Sequence, residues 1–143
     1  MRQPLPSREA TPALAARIAG LARPGDAILL EGPLGAGKSE FARAFLRAIT
    51  QDAALEVPSP TFTLVQTYET PQGPIHHFDL WRLTGPEALE ELGWDDLLQD
   101  IVLVEWPDRL GPLTPPESLM IRLTESGPES RDATITGWEP RLR

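Results

Sequence analysis

The chain has 143 residues, enough for one domain with a real core, and its 41% hydrophobic and 24% charged content fits a soluble globular protein. A net charge of −8 argues against a dedicated nucleic-acid or anionic-membrane binder, since both need basic surface, and zero Cys rules out disulfides and thiolate metal sites. No apolar run resembles a signal peptide or approaches the ~20 residues of a membrane span, so a single cytoplasmic domain over residues 1–143 is expected.

Residues 1–10 read as an extended lead-in around Pro4 and Pro6. Thr11-Pro12 reads as a helix start, with Thr11 as N-cap and Pro12 at the first helical position. Leu14, Ile18 and Leu21 follow at i, i+4 and i+7, an amphipathic helix that stops before Pro24-Gly25. Ala27 to Glu31 reads as a short buried strand, and Glu40 to Ile49 as a helix with Phe41, Phe45 and Ile49 on one face.

Between that strand and helix lies Gly32-Pro33-Leu34-Gly35-Ala36-Gly37-Lys38-Ser39, a G-x-x-x-x-G-K-S phosphate-binding loop in the strand–loop–helix setting the motif requires. Its glycines let backbone N–H groups curl around a β-phosphate, and the helix after it points its positive end at the same group. Lys38 would neutralise β/γ-phosphate charge, and the Ser39 hydroxyl would ligate Mg²⁺. Lys38 is also the only lysine among 13 basic residues, a point-charge ammonium kept where a phosphate needs it.

After a linker from Thr50 to Glu56, Val57-Pro58-Ser59-Pro60-Thr61-Phe62-Thr63 is a proline-stiffened entry to a strand. Thr61 and Thr63 fall on one strand face, which suits either β-propensity alone or a switch segment reaching Mg²⁺ or the γ-phosphate, and spacing leaves both open. Leu64 to Tyr68, a turn over Glu69 to Pro74, and Ile75 to Leu80 form an expected β-hairpin. On the return strand His77 and Asp79 share a face opposite Phe78 and Leu80. A zinc reading of His76 and His77 fails on ligand count. Asp79 is the catalytic candidate, placed to hold metal water or orient an attacking water, against an ion pair with Arg82.

Thr84-Gly85-Pro86-Glu87 reads as a capping box, opening a helix with Leu89 and Leu92 that breaks at Gly93. A helical turn over Trp94 to Leu98 follows, and the acidic run from Glu87 to Asp100 reads as a solvated face or a dock for a basic partner. Ile101-Val102-Leu103-Val104-Glu105 is an unbroken apolar strand ending in a carboxylate, the Walker B pattern with Glu in place of Asp. Glu105 is expected to hold Mg²⁺ or polarise water, and Trp106 to pack beside the nucleotide or cover the carboxylate. Strands are expected around Leu119 to Leu123 and Asp132 to Trp138, joined by a loop ending in Arg131, which reads first as a solvated loop residue and otherwise as one that could reach the nucleotide. The tail Glu139 to Arg143 is expected to fray.

Taken in order, Gly35-Ala36-Gly37-Lys38-Ser39, Ser59-Pro60-Thr61-Phe62-Thr63-Leu64-Val65, His77-Phe78-Asp79-Leu80-Trp81-Arg82-Leu83 and Val104-Glu105-Trp106-Pro107 resemble the TsaE (YjeE) family. The resemblance spans roughly residues 5 to 138 and implies a bacterial P-loop ATPase needed for N6-threonylcarbamoyladenosine in tRNA. It implies ATP/ADP and Mg²⁺ as cofactors and the TsaB and TsaD proteins as partners, with tRNA met only through that complex and neither DNA nor membrane bound. Hydrolysis would reset the complex between turnovers rather than drive the transfer chemistry.

Carried over position by position, Lys38, Asp79 and Glu105 would be catalytic, with Ser39 and Glu105 on the metal. Leu34, Gly35, Ala36, Gly37, Lys38, Ser39, Glu40, Thr61, Thr63, Trp106 and Arg131 would contact the nucleotide. Departures from the family pattern are Ser39 for Thr, Trp81 for Tyr, Pro33 for an acidic residue and Glu40 for a small hydroxyl residue. The fold expected is an α/β P-loop NTPase three-layer sandwich, mostly parallel, with an antiparallel hairpin at one side. A small metabolite kinase is the enzymatic alternative, disfavoured because no Arg-rich lid is visible, and a nucleotide-gated binding module is the non-enzymatic one.

Overall fold

The two unbroken aliphatic runs, Ala27–Glu31 and Ile101–Glu105, pair as parallel strands at the centre of a sheet, since a strand without alternation must bury both faces. The computed structural model describes residues 1–60 and 63–142. Its strands are β1 (Arg2–Leu5), β2 (Ala27–Glu31), β3 (Val65–Thr70), β4 (Gly73–Asp79), β5 (Ile101–Glu105), β6 (Ser118–Glu125) and β7 (Arg131–Thr136). They form one sheet in the order β1-β7-β6-β2-β5-β4-β3. The middle four, β6, β2, β5 and β4, are mutually parallel, while β3 adds antiparallel at one edge and β7 and β1 at the other.

The helices are α1 (Ala10–Leu21), α2 (Lys38–Thr50), α3 (Glu87–Glu91), α4 (Trp94–Leu97) and α5 (Glu139–Leu142). Alternation along the strands divides the core between the two faces of the sheet. Ile28, Leu30, Ile75, Leu103, Leu119 and Ile121 meet α1 and α2, which bring Leu14, Ile18, Phe41, Phe45 and Leu46. Each such side chain contributes roughly 1.5–3 kcal/mol on burial. On the other face Leu29, Phe78, Val102 and Val104 meet Leu89 of α3, Trp94 of α4 and Leu110 of the 3₁₀ segment Pro107–Leu113. Among the described residues no helix is long and apolar enough to cross a membrane.

Several local expectations are corrected. The lead-in is extended as expected and also pairs as a strand, Arg2 to Leu5 in register with Thr134 to Arg131; the elements that follow differ. The first helix begins at Ala10, with Glu9 in the N-cap position and Thr11 buried inside the first turn. Pro12 is tolerated one turn in because the first four N–H groups of a helix have no intrahelical partner. The capping box does not form, because α3 starts at Glu87 with Pro86 at its N-cap and no side-chain cap. The hairpin is tighter and longer than its sequence suggests: Thr70 pairs with Gly73, leaving a two-residue turn at Pro71-Gln72.

The tail does not fray over its described length. Arg141 pairs with Asp26 through contacts of 2.6 and 3.4 Å and lies 4.0 Å from the centroid of the Trp138 ring, while Arg17 donates to the Leu142 carbonyl at 2.6 Å. These are long-range ties that a local composition rule does not see. Arg141→Ala is expected to lower the unfolding free energy by about 1–2 kcal/mol, a partly buried ion pair plus a cation–π contact. Urea denaturation measures the loss, and faster carboxypeptidase trimming of the tail would accompany it.

Candidate active site

Three of the parallel strands end together, and each end carries a group with chemistry. The phosphate-binding loop follows β2, Asp79 closes β4 and Glu105 closes β5. Glu105 is opposite Leu30 on one side and Asp79 on the other, so register alone brings the two carboxylates beside the loop. The C-terminal ends of parallel strands are where open α/β sheets place ligands.

The loop is set by two glycines. A Cβ on Gly32 would come 2.4 Å from the Leu123 carbonyl oxygen, so only glycine lets the loop run this close to β6. Gly37, at φ 101°, is the N-cap of α2 in a conformation that costs other residues strain, and Phe41 N–H closes the helix ladder onto its carbonyl. Lys38 opens α2 and turns its ammonium back under the loop, donating to the Gly32 and Pro33 carbonyls. The ammonium also lies 3.8 Å from the centroid of the Trp106 ring. Burial pulls its pKa below the ordinary lysine value, and the neighbouring charges of Glu105, Asp79 and Asp108 oppose that pull.

Glu105 is 3% exposed, and a buried carboxylate needs partners. It has two: Ser39 Oγ donates to Oε1 at 3.4 Å, and His77 Nε2 donates to Oε2 at 2.7 Å. Asp79 accepts the Trp81 backbone N–H at 3.0 Å and the Ser59 hydroxyl at 3.4 Å. Trp106 has φ 60° and ψ 54°, a left-handed conformation uncommon for a bulky residue, and this turns its indole over Lys38. Trp81 packs on Trp106 with ring centroids 4.5 Å apart, and the Arg109 guanidinium is 5.8 Å from the centroid of the Trp81 ring.

These groups enclose a cavity of about 370 Å³ lined by Leu34, Gly35, Gly37, Lys38, Ser39 and Glu40 from the loop and α2, and by Ser59, Asp79, Trp81, Glu105, Trp106 and Arg131. Arg131 crosses from the start of β7 to the loop, where Nη2 donates to the Gly35 carbonyl at 3.4 Å. Its Nε is buried without a partner among the described residues, a donor suited to an anionic ligand. A hydroxyl and a carboxylate are the hard oxygen donors that Mg²⁺ takes, so Ser39 and Glu105 fit that ion. No group of three or more His, Cys, Asp or Glu that could hold a metal occurs among the described residues.

Of the residues expected at the site, Lys38, Ser39, Glu40, Asp79, Glu105, Trp106 and Arg131 come together, with Leu34, Gly35 and Gly37. Ala36 does not line the cavity: its methyl is buried in the core, and its N–H donates to the Pro33 carbonyl at 3.2 Å. Thr63 does not line it either. It lies in a turn rather than on a strand, because the chain reverses through Leu64 at φ 72° and β3 begins only at Val65. Thr61 lies outside the described residues. Ser59, His77 and Trp81 were not expected to take part. His77 could have been found from its spacing of two from Asp79, which puts both on one strand face.

A family model described as threonylcarbamoyl adenosine biosynthesis protein TsaE matches residues 5–133. The chain is 38% identical over 120 residues to the tRNA threonylcarbamoyladenosine biosynthesis protein TsaE of Rickettsia felis, covering 83% of this chain and 70% of the relative. It is 36% identical over 130 residues to the protein so named in Bacillus subtilis, covering 90% and 80%. The crystal structure of Bacillus subtilis YdiB superposes with a TM-score of 0.77 at 30% identity, covering 99% of this chain and 87% of that one.

The close approach at Gly32 generates a direct test. Gly32→Ala is expected to destabilise the protein by about 1–3 kcal/mol through overpacking against the Leu123 carbonyl. Chemical denaturation reads the loss, and amide hydrogen exchange at residues 33–37 would rise with it.

Proposed function

The chain belongs to the TsaE family, and from that premise we propose that it is the Mg²⁺-dependent ATP-hydrolysing subunit required for N6-threonylcarbamoyladenosine modification of tRNA, working in the cytoplasm with TsaB and TsaD proteins. The fold is then a P-loop nucleotide triphosphatase sandwich. The observation that supports this most is the convergence of Lys38, Ser39 and two buried carboxylates in one cavity behind a phosphate-binding loop. A lone motif fits many activities, whereas this donor set fits phosphoryl chemistry in particular.

The residues divide the work. Lys38 leaves the Gly32 and Pro33 carbonyls to bind β- and γ-phosphate oxygens, a better partner for an ammonium than a neutral carbonyl. Ser39 and Glu105 hold Mg²⁺, which when bound neutralises charge on the transferring phosphoryl group. Asp79, opposite Glu105 in the register, orients the attacking water. Arg131 brings its Nε, without a partner among the described residues, to the nucleotide from the far side of the loop. With a net charge of −8, the tRNA-binding surface comes chiefly from the partners.

Lys38→Ala is expected to abolish ATP binding, and Glu105→Ala to weaken the Mg²⁺-dependent part of binding and lower hydrolysis at least about 100-fold, as for loss of one transition-state charge stabiliser. Calorimetric titration and phosphate release measure these, and wild-type turnover in both variants would sink the assignment. Mixing with TsaB and TsaD should give association that depends on ATP. Transfer of phosphate to a metabolite, in place of its release, would favour a kinase instead.

A further inference from the structure

Among the described residues, His77 is the one strongly buried polar side chain at the site to which the proposed chemistry gives no task. It is 2% exposed, in the middle of β4 next to the central strand. A histidine there can be a core residue that merely satisfies itself, and its neighbour His76 shows that case. His76 lies on the other sheet face, with Nε2 2.9 Å from Asp100 Oδ2 and Nδ1 2.9 Å from Thr67 Oγ1, so both ring nitrogens have partners. His77 differs. Its Nδ1 has no partner among the described residues, and its one hydrogen bond, at 2.7 Å, goes to the carboxylate of Glu105.

We infer that His77 is the positioning residue that fixes which oxygen of Glu105 faces the metal site. The inference rests on the reading of Ser39 and Glu105 as the Mg²⁺ holders. The register explains the geometry: His77 is opposite Leu103, so its ring reaches one step diagonally to Glu105, while Asp79 sits directly across from Glu105. A carboxylate beside another carboxylate tends to rotate away from it. Nε2–H of His77 holds Oε2, and that leaves Oε1 on the Ser39 side. A side chain held at one oxygen presents the other without first ordering itself, as outer partners of metal-ligating groups do.

Nucleotide binding without turnover tests this. A fluorescent ATP analogue is titrated at rising Mg²⁺ and, separately, in excess EDTA, and thermal melting confirms that each variant folds. His77→Leu keeps the volume and loses the hydrogen bond. It is expected to raise the Mg²⁺ concentration for half-maximal binding about 10–100-fold and to leave the affinity in EDTA unchanged. His77→Gln puts an amide N–H where Nε2 stood and should restore most of the Mg²⁺ response. His77→Asn places its amide at the Nδ1 position, short of Glu105, and should behave like His77→Leu. This Gln–Asn pair decides the matter even if the Leu variant fails to fold.

Equal Mg²⁺ dependence in wild type, His77→Leu and His77→Asn would overturn the inference. So would equal impairment of the Gln and Asn variants, which would mark a purely structural histidine. A wild-type protein that binds the analogue no better with Mg²⁺ than in EDTA would instead overturn the reading of the metal site, and the inference with it.

Discussion

The structure at this site depends on supplying hydrogen-bond partners to one buried carboxylate. Glu105 ends a strand whose every other residue is aliphatic, and a charge there would be costly without compensation. Two elements supply it: α2 through Ser39 and the nearby ammonium of Lys38, and β4 through His77. Each arrives by a different route through the fold. α2 is set by the glycine turn after β2, and β4 by the hairpin that inserts it beside β5. Compensation for one charge thus fixes how helix, loop and hairpin meet.

The same constraint explains why Lys38 sits where it does. Its burial favours the neutral amine, and the surrounding carboxylates favour the ammonium, so both signs of charge are held in one cavity. The ammonium is satisfied by two carbonyls of its own loop and by the face of Trp106. Cation–π contacts of this kind contribute about 0.5–2 kcal/mol. That is comparable to the cost of the left-handed backbone at Trp106, about 1–3 kcal/mol.

Sequence was most informative where one physical rule acted alone. Unbroken aliphatic runs named the central strands, the 3.6 period named the buried face of α2, and the G-x-x-x-x-G-K-S pattern located the cavity. It was least informative where a residue's place depends on a partner far along the chain. Pro4 looks like a strand breaker, yet β1 is an edge strand, where a missing N–H can face outward. Glu139 to Leu142 look like a loose end, yet Asp26 and Arg17, more than a hundred residues earlier, hold them. Thr63 looked like part of a strand because alternation says nothing about the reversal at Leu64.

The histidine pair shows the limit most clearly. His76 and His77 are adjacent in the sequence, and the spacing that puts His77 on the face of Asp79 does not say which face meets the site. The pleat sends them to opposite faces, one toward Asp100 at the start of the central strand and one toward Glu105 at its end. Which histidine serves the site is decided by which face of β4 the helix α2 covers. That face is set by the apolar pattern of β2 and β5 rather than by anything local to the pair. The assignment of His77 to Glu105 is therefore a consequence of packing, and any change that slipped the β4–β5 register by one residue would exchange the two histidines between core and site.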